Sequence, residues 1–208
     1  MRVEVFADVI CPWCGIGHHR LEEARARFDG DVEIVRRSFL LDPFAPIGKV
    51  EPVPEMLVKK GYPADQVGAM TERVEEIARS EGIQPYHVRD NRVGSTALAH
   101  ELAALARSEG KADAAWSALY RAYFGEARSI FDAPSLVRIG EEIGLDAETV
   151  RGALDARVYE PEVKRDLLRA RELGVRGVPF FVFDERFAVS GAQPVEVLLR
   201  AFEHTSRS

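Results

Sequence analysis

Two different hydrophobic periods divide this chain, and their order limits the folds open to it. At the start, Val3, Val5, Ala7 and Val9 alternate with Arg2, Glu4, Phe6 and Asp8, the period-two pattern of a strand with one apolar face. Cys14, Gly17, Leu21, Ala24 and Phe28 then recur at spacings of three and four, a helix stripe. Asp29–Gly30 ends that helix and Val32–Phe39 returns to a strand pattern. A strand–helix–strand unit of this size implies parallel strands joined by a right-handed crossover.

The proline-rich stretch Asp42–Pro43–Phe44–Ala45–Pro46 breaks the pattern. From about Pro54 to about Leu173 the periodicity is helical. Val67, Met70, Val74 and Ile77 share one face, and Leu98, Leu102 and Leu105 share another behind the candidate caps Ser95–Thr96. Asp132 and Asp146 read as helix starts, and Gly82, Gly110, Gly144 and Gly174 as stops. Strand character resumes at Val178–Phe183. A turn at Asp184–Glu185, a second strand at Arg186–Ser190 and a last helix opened by Pro194 follow. The order is β-α-β, a helical block, then β-β-α. This predicts an α/β fold whose sheet domain is split into residues 1–45 and 174–208, with an all-helical domain, 46–173, inserted between the halves.

Composition narrows the function classes. Of 208 residues, 46% are hydrophobic and 30% charged, the balance of a folded globular chain, and the net charge is −6. A surface for nucleic acid needs clustered Lys and Arg, whereas here basic residues interleave with acids, as in Arg20–Leu21–Glu22–Glu23. No apolar run reaches the ~18–20 residues of a membrane span, and the acids of the first eight residues do not suit a signal peptide. The expectation is a cytoplasmic protein with neither nucleic-acid nor membrane partners.

The chain has 2 cysteines, and both lie in Cys11–Pro12–Trp13–Cys14 at the predicted strand-to-helix junction. The unpaired N–H groups and the dipole of a helix start stabilise an anion there, and the thiolate is the nucleophile of disulfide exchange. Pro12 has no N–H to lose and suits the first turn. Cys14, one turn on, can close a small ring with Cys11. The spacing therefore predicts Cys11 as the exposed attacking thiol and Cys14 as the shielded one that resolves a mixed disulfide. A zinc site built with His18 and His19 is the competing reading. No second cysteine pair exists to complete it, and adjacent helical residues diverge by roughly 100°; the two histidines read as polar surface residues, and no metal is expected. Asp8 reads as a solvated strand-end acid, with proton transfer to Cys14 as the alternative. His100 reads as a polar helix-surface residue, with a place over the active site as the alternative.

Phe6–Cys14, taken with Gly174–Val182 and Ser190–Pro194, resembles the DsbA-like thioredoxin-fold oxidoreductases. The likeness is to their intracellular FrnE-like branch, often grouped with 2-hydroxychromene-2-carboxylate isomerases and kappa-class glutathione transferases. Ala99–Leu102 and Arg121–Phe124 are similar to that branch's inserted helices. The resemblance implies a thioredoxin fold and a cis peptide at Val178–Pro179 facing the cysteines. It also implies a substrate groove shaped by Pro12, Trp13, Val178 and Pro179, with Cys11 and Cys14 catalytic. A proline at 179 brings no N–H near the sulfurs and leaves the Val178 backbone free to pair with an extended substrate. The periplasmic DsbA enzymes carry His where this chain has Trp13, which cannot supply a positive charge. The implied activity is dithiol–disulfide exchange or isomerisation on protein or small-molecule disulfides, with no tightly bound cofactor. Glutathione or a similar thiol is the implied co-substrate, and a thiol reductant or oxidant recycles the pair. The alternative is a glutathione-type isomerase or transferase of an aromatic or polyketide-like molecule.

Overall fold

A computed structural model describes residues 1–207. In chain order the elements are β1 (Arg2–Ala7), α1 (Pro12–Arg27), β2 (Glu33–Ser38), β3 (Val50–Pro52), α2 (Val53–Lys59), α3 (Ala64–Ser80), β4 (Arg92–Gly94), α4 (Ala97–Ser108) and α5 (Ala112–Tyr120). A π-helical turn (Arg121–Gly125), α6 (Ala133–Glu142), α7 (Ala147–Asp155), α8 (Glu160–Glu172), β5 (Phe180–Phe183), β6 (Phe187–Ser190) and α9 (Val195–Ser206) complete the chain. Two compact units result: Met1–Leu41 with the stretch from Arg165 onward, and Asp42–Lys164.

The first unit is a four-stranded sheet in the order β2-β1-β5-β6. β1 runs parallel to β2, as the crossover requires, and antiparallel to β5, which pairs antiparallel with β6. Period-two alternation sorts the side chains between two covered faces. Val3, Val5, Phe181 and Phe183 pack with Leu21 and Ala24 of α1 and Leu198 and Phe202 of α9. On the other face Phe6 and Val182 pack with Ala170 of α8 and Val175. The polar row expected on β1 is therefore not solvated: Glu4 and Phe6 are as buried as Val3. As the inner strand of a sheet covered on both sides, β1 has no solvent face to give them.

Glu4 is reconciled with burial by charge. Arg37 of β2 donates to Glu4 Oε1 from Nε at 3.0 Å and from Nη2 at 2.6 Å, and Arg169 of α8 donates to Oε2 at 3.1 Å. The third arm of Arg37, Nη1, reaches Asp166 Oδ1 at 3.0 Å, whose Oδ2 accepts the Ser38 N–H. Burial alone would raise the Glu4 carboxyl, but the hydrogen bonds and charges of Arg37 and Arg169 hold it below the usual carboxylate range.

The β5–β6 hairpin turns at the expected Asp184–Glu185, with φ of 45° and 57°. Two successive left-handed residues make the mirror-image turn whose twist matches a hairpin. Asp184 Oδ1 accepts the Arg2 N–H at 2.6 Å, which fixes the turn against the start of β1.

The second unit is helical apart from one ladder that the sequence pattern does not announce. Val50–Pro52 pairs antiparallel with Arg92–Gly94; three residues carry too little periodicity to read as a strand. The caps expected at Asp132 and Asp146 form, accepting the N–H groups of Ser135 and Thr149. Thr96 caps α4 by position, without a side-chain hydrogen bond. His100 is not on the surface: it is fully buried within this unit, its ring edge-on to Trp116 at 5.5 Å. Among the described residues no helix is long and apolar enough to cross a membrane.

Candidate active site

β1 ends at Ala7, and a short turn carries the chain from Asp8 into α1. Cys11 is the residue before the helix, in an extended conformation at φ −76° and ψ 115°, with Pro12 opening the first turn. The turn is held through the main chain. Cys11 N–H donates to Asp8 O at 3.1 Å, and Cys14 N–H and Gly15 N–H donate to Cys11 O at 2.9 and 3.2 Å. No acidic residue stands in the first turn of α1, so no helix carboxylate opposes negative charge where the dipole favours it.

Cys11 and Cys14 are free thiols 3.3 Å apart. The Cys11 Sγ donates to the Val178 carbonyl at 3.6 Å. The Val178–Pro179 peptide is cis, and the Pro179 carbonyl accepts the Gly191 N–H at 2.8 Å. The loop before β5 thus lies against the cysteine turn, as the family resemblance implies. Trp13 is 39% exposed beside the pair and Pro12 half-buried.

Three expectations change. Cys11 is 5% exposed rather than open, against 1% for Cys14, because its sulfur is turned inward to the Val178 carbonyl and to Cys14. Asp8 is fully buried, not solvated: Oδ2 accepts the Leu41 N–H at 2.8 Å and Oδ1 the Ile10 N–H at 3.5 Å. His18 and His19 are half-buried rather than surface residues. Burial, then the charges of Arg36 and His19, push the His18 imidazole well below its ordinary range. Among the described residues no group of three or more His, Cys, Asp or Glu side chains could hold a metal ion.

Burial, then the hydrogen bond and charge of Cys11, push the Cys14 thiol well above its ordinary range. The Asp8 main-chain hydrogen bond acts in the opposite sense, and the Asp8 charge adds to the rise.

Gly17 belongs to the site although the sequence shows it only as part of a helix stripe. A Cβ on Gly17 would stand 2.9 Å from Pro179 Cγ, so only hydrogen lets α1 approach the buried, rigid proline ring. Gly17→Val is expected to lower stability by about 1–3 kcal/mol through overpacking and to slow disulfide exchange as Pro179 and the Val178 carbonyl move away from Cys11. A urea midpoint and an insulin-reduction rate measured together check both.

A family model for the DSBA-like thioredoxin domain matches residues 2–203. The chain belongs to the DsbA-like thioredoxin family. Within it, the probable DsbA oxidoreductase SCO1869 from Streptomyces coelicolor is 42% identical. Its crystal structure superposes with a TM-score of 0.94 over 100% of this chain and 91% of that one. The uncharacterized protein YwbO of Bacillus subtilis is 27% identical over 202 residues, 97% of this chain and 95% of its own. The cytosolic disulfide reductase DsbM from Pseudomonas aeruginosa, solved with GSH, shares the fold at a TM-score of 0.68 and 20% identity, with 100% of both chains covered. This DsbA-like chain carries the family's thiol oxidoreductase fold, with two cysteines in contact at the head of its first helix.

Proposed function

We propose that the protein is a dithiol–disulfide oxidoreductase acting on protein or small-molecule disulfides, in which Cys11 attacks and Cys14 resolves. The observation that carries this reading is the pair of free thiols 3.3 Å apart at the start of α1, with Cys11 directed at the carbonyl of the cis-proline peptide. Cys11 stands at the head of α1 and is the less buried of the two thiols, which suits it as the attacking group. The buried Cys14 is kept a thiol until a substrate sulfur occupies Cys11. Val178 and Pro179 form one wall of the substrate groove, where the Val178 backbone pairs with an extended chain. Trp13 and Pro12 form the other wall, and the exposed indole offers apolar area to an unfolded client.

The reaction balances through two exchanges. Cys11 thiolate attacks one sulfur of the substrate disulfide, and the other sulfur leaves with the electron pair and takes a proton. Cys14 then displaces the captured sulfur from Cys11, forming the Cys11–Cys14 disulfide and leaving the substrate reduced by two electrons. A thiol such as glutathione returns the pair to the dithiol, and run backwards the same steps oxidise a client. The binding of GSH by DsbM, a fold neighbour named as cytosolic, supports a glutathione-type co-substrate and a cytoplasmic setting here. Two adjacent cysteines favour exchange over thiol-dependent isomerisation of a small molecule, which needs no resolving thiol.

Cys14→Ser is the direct test. It should accumulate Cys11 mixed disulfides, with protein clients and with glutathione, that intact-mass spectrometry resolves. If the variant gathers none and turns over disulfides as fast as the unaltered chain, Cys14 is not the resolving thiol.

A further inference from the structure

Between α2 and α3, within the second unit, lies an open cleft of about 440 Å³. Pro54 and Val58 of α2 and Ala64, Val67 and Gly68 of α3 give it an apolar lining. Val67 is buried at 3%, but Val58 is left 44% exposed, so part of this apolar surface meets water, and covering it would be favourable. Opposite charges stand on the two walls: Glu55 on α2, and Arg89, from the segment before β4, over α3.

Gly68 makes the room. A glycine inside a helix is less stable than alanine there, and nothing in the protein requires this one. Its φ is not positive. A Cβ on it would meet only the end of the Arg89 side chain, Nη1 at 3.8 Å and Cζ at 3.9 Å, which is ordinary contact. What the glycine provides is space under the guanidinium. Arg89 is anchored at its base, where Glu75 Oε1 accepts the N–H groups of Val88 at 2.7 Å and Arg89 at 3.0 Å. Among the described residues, neither the Arg89 guanidinium nor the Glu55 carboxylate makes a hydrogen bond or an ion pair. Lys59, the other charged residue of the lining, is already paired with Glu51, and the Glu55 charge helps to keep it protonated.

We propose that this cleft binds a small zwitterion with an apolar body, of the size of an apolar dipeptide. Its carboxylate sits on Arg89, its ammonium on Glu55, and its side chains cover Val58 and Val67. A guanidinium presents a planar fork that matches a carboxylate, and Glu55 supplies the complementary partner for an ammonium. An apolar anion would satisfy Arg89 but bring a second negative charge towards Glu55, and a neutral apolar molecule would use neither. The volume lies at the lower end of the range of about 300–1,000 Å³ for small-molecule sites, which suits two residues rather than a protein segment. Binding is non-covalent and forms no bond with the chain.

Leucyl-leucine is the probe, titrated into the millimolar range against the isotope-labelled full-length protein. The amide resonances of Val58, Val67 and Gly68 should move together along one saturable curve. Charge pairs in a site this open are weak, so each one lost should raise the apparent Kd by about three- to tenfold. Amidation of the probe's C-terminus and acetylation of its N-terminus should each have that effect. Arg89→Met should weaken the free dipeptide to the same degree and leave the amidated probe unchanged; Glu55→Gln should do so for the free dipeptide and leave the acetylated probe unchanged. Both side chains are exposed, so neither variant threatens the fold. Gly68→Leu, which fills the cleft while favouring the helix, should remove the resonance shifts with the circular dichroism spectrum retained. The inference is overturned by the absence of a saturable shift, by shifts confined to other parts of the chain, by capped probes that bind as tightly as the free dipeptide, or by an Arg89→Met variant that weakens free and amidated probes equally.

Discussion

Cys11→Ser is expected to abolish disulfide exchange, lowering the rate of insulin reduction by roughly a thousandfold or more, as loss of a covalent nucleophile does. The seryl hydroxyl cannot ionise near neutral pH, and no base stands ready to take its proton. The Val178 carbonyl beside it accepts a hydrogen bond but not a proton, and the other partner, Cys14, is itself held as a thiol. Cys14 cannot substitute, because it is 1% exposed and burial holds it as a thiol. The fold should survive, since Cys11 contributes its main chain rather than its sulfur to the helix start. The decisive measurement is turnover at equal folded concentration, confirmed by circular dichroism. Activity near that of the unaltered protein would remove Cys11 from the mechanism.

The largest stability effect is expected at Arg37. Its guanidinium joins Glu4 to Asp166 across β1, β2 and α8, and both carboxylates are about 2% exposed. Arg37→Met keeps the apolar stem and removes the charge that joins the two buried acids, leaving Glu4 to Arg169 at 3.1 Å and Arg2 at 3.7 Å. Removing one member of a buried pair leaves its partner uncompensated. The expected cost is about 3 kcal/mol, at the lower end for such pairs because Arg37 itself is partly exposed. The pH dependence follows from Glu4. Its carboxyl is held below the ordinary range in the folded chain, so the stability it contributes is fully present above the unfolded carboxylate range. That contribution is lost as pH falls through the lower, folded value. In Arg37→Met this part of the acid dependence should shrink. Urea midpoints between pH 7 and pH 4 for both proteins give the two quantities, and equal midpoints at pH 7 would show the ion pair to be energetically idle.

The change of pattern along the sequence was enough to place the sheet, because β1 alternates over its length and the apolar run Phe180–Phe183 is closed by the turn at Asp184–Glu185. The cysteine turn was legible for the same reason: a helix stripe begins where a strand stops. What stayed hidden depends on where distant segments return. Glu4 and Asp8 look solvated when β1 is read alone, because alternation reports two faces but not whether the second is covered. Only the return of α8 and of Leu41 buries them. Gly17 is unremarkable on its helix until Pro179, far along the chain, presses against it. Cys11 was expected to be open because a helix start is usually exposed, and the inward turn of its sulfur depends on Val178, which local spacing cannot see. The β3–β4 ladder escaped because three residues make no pattern.

The inner position of β1 bears on how the protein is made. β1 can zip to β2, its near neighbour in the chain, yet its other edge waits for Phe180–Phe183, which follows the whole second unit. Such distant pairings are slow to form. Until they form, neither the Val178 carbonyl nor Pro179 stands beside the thiols. A chain in synthesis therefore carries both thiols open to any oxidant it meets until the β5–β6 hairpin docks.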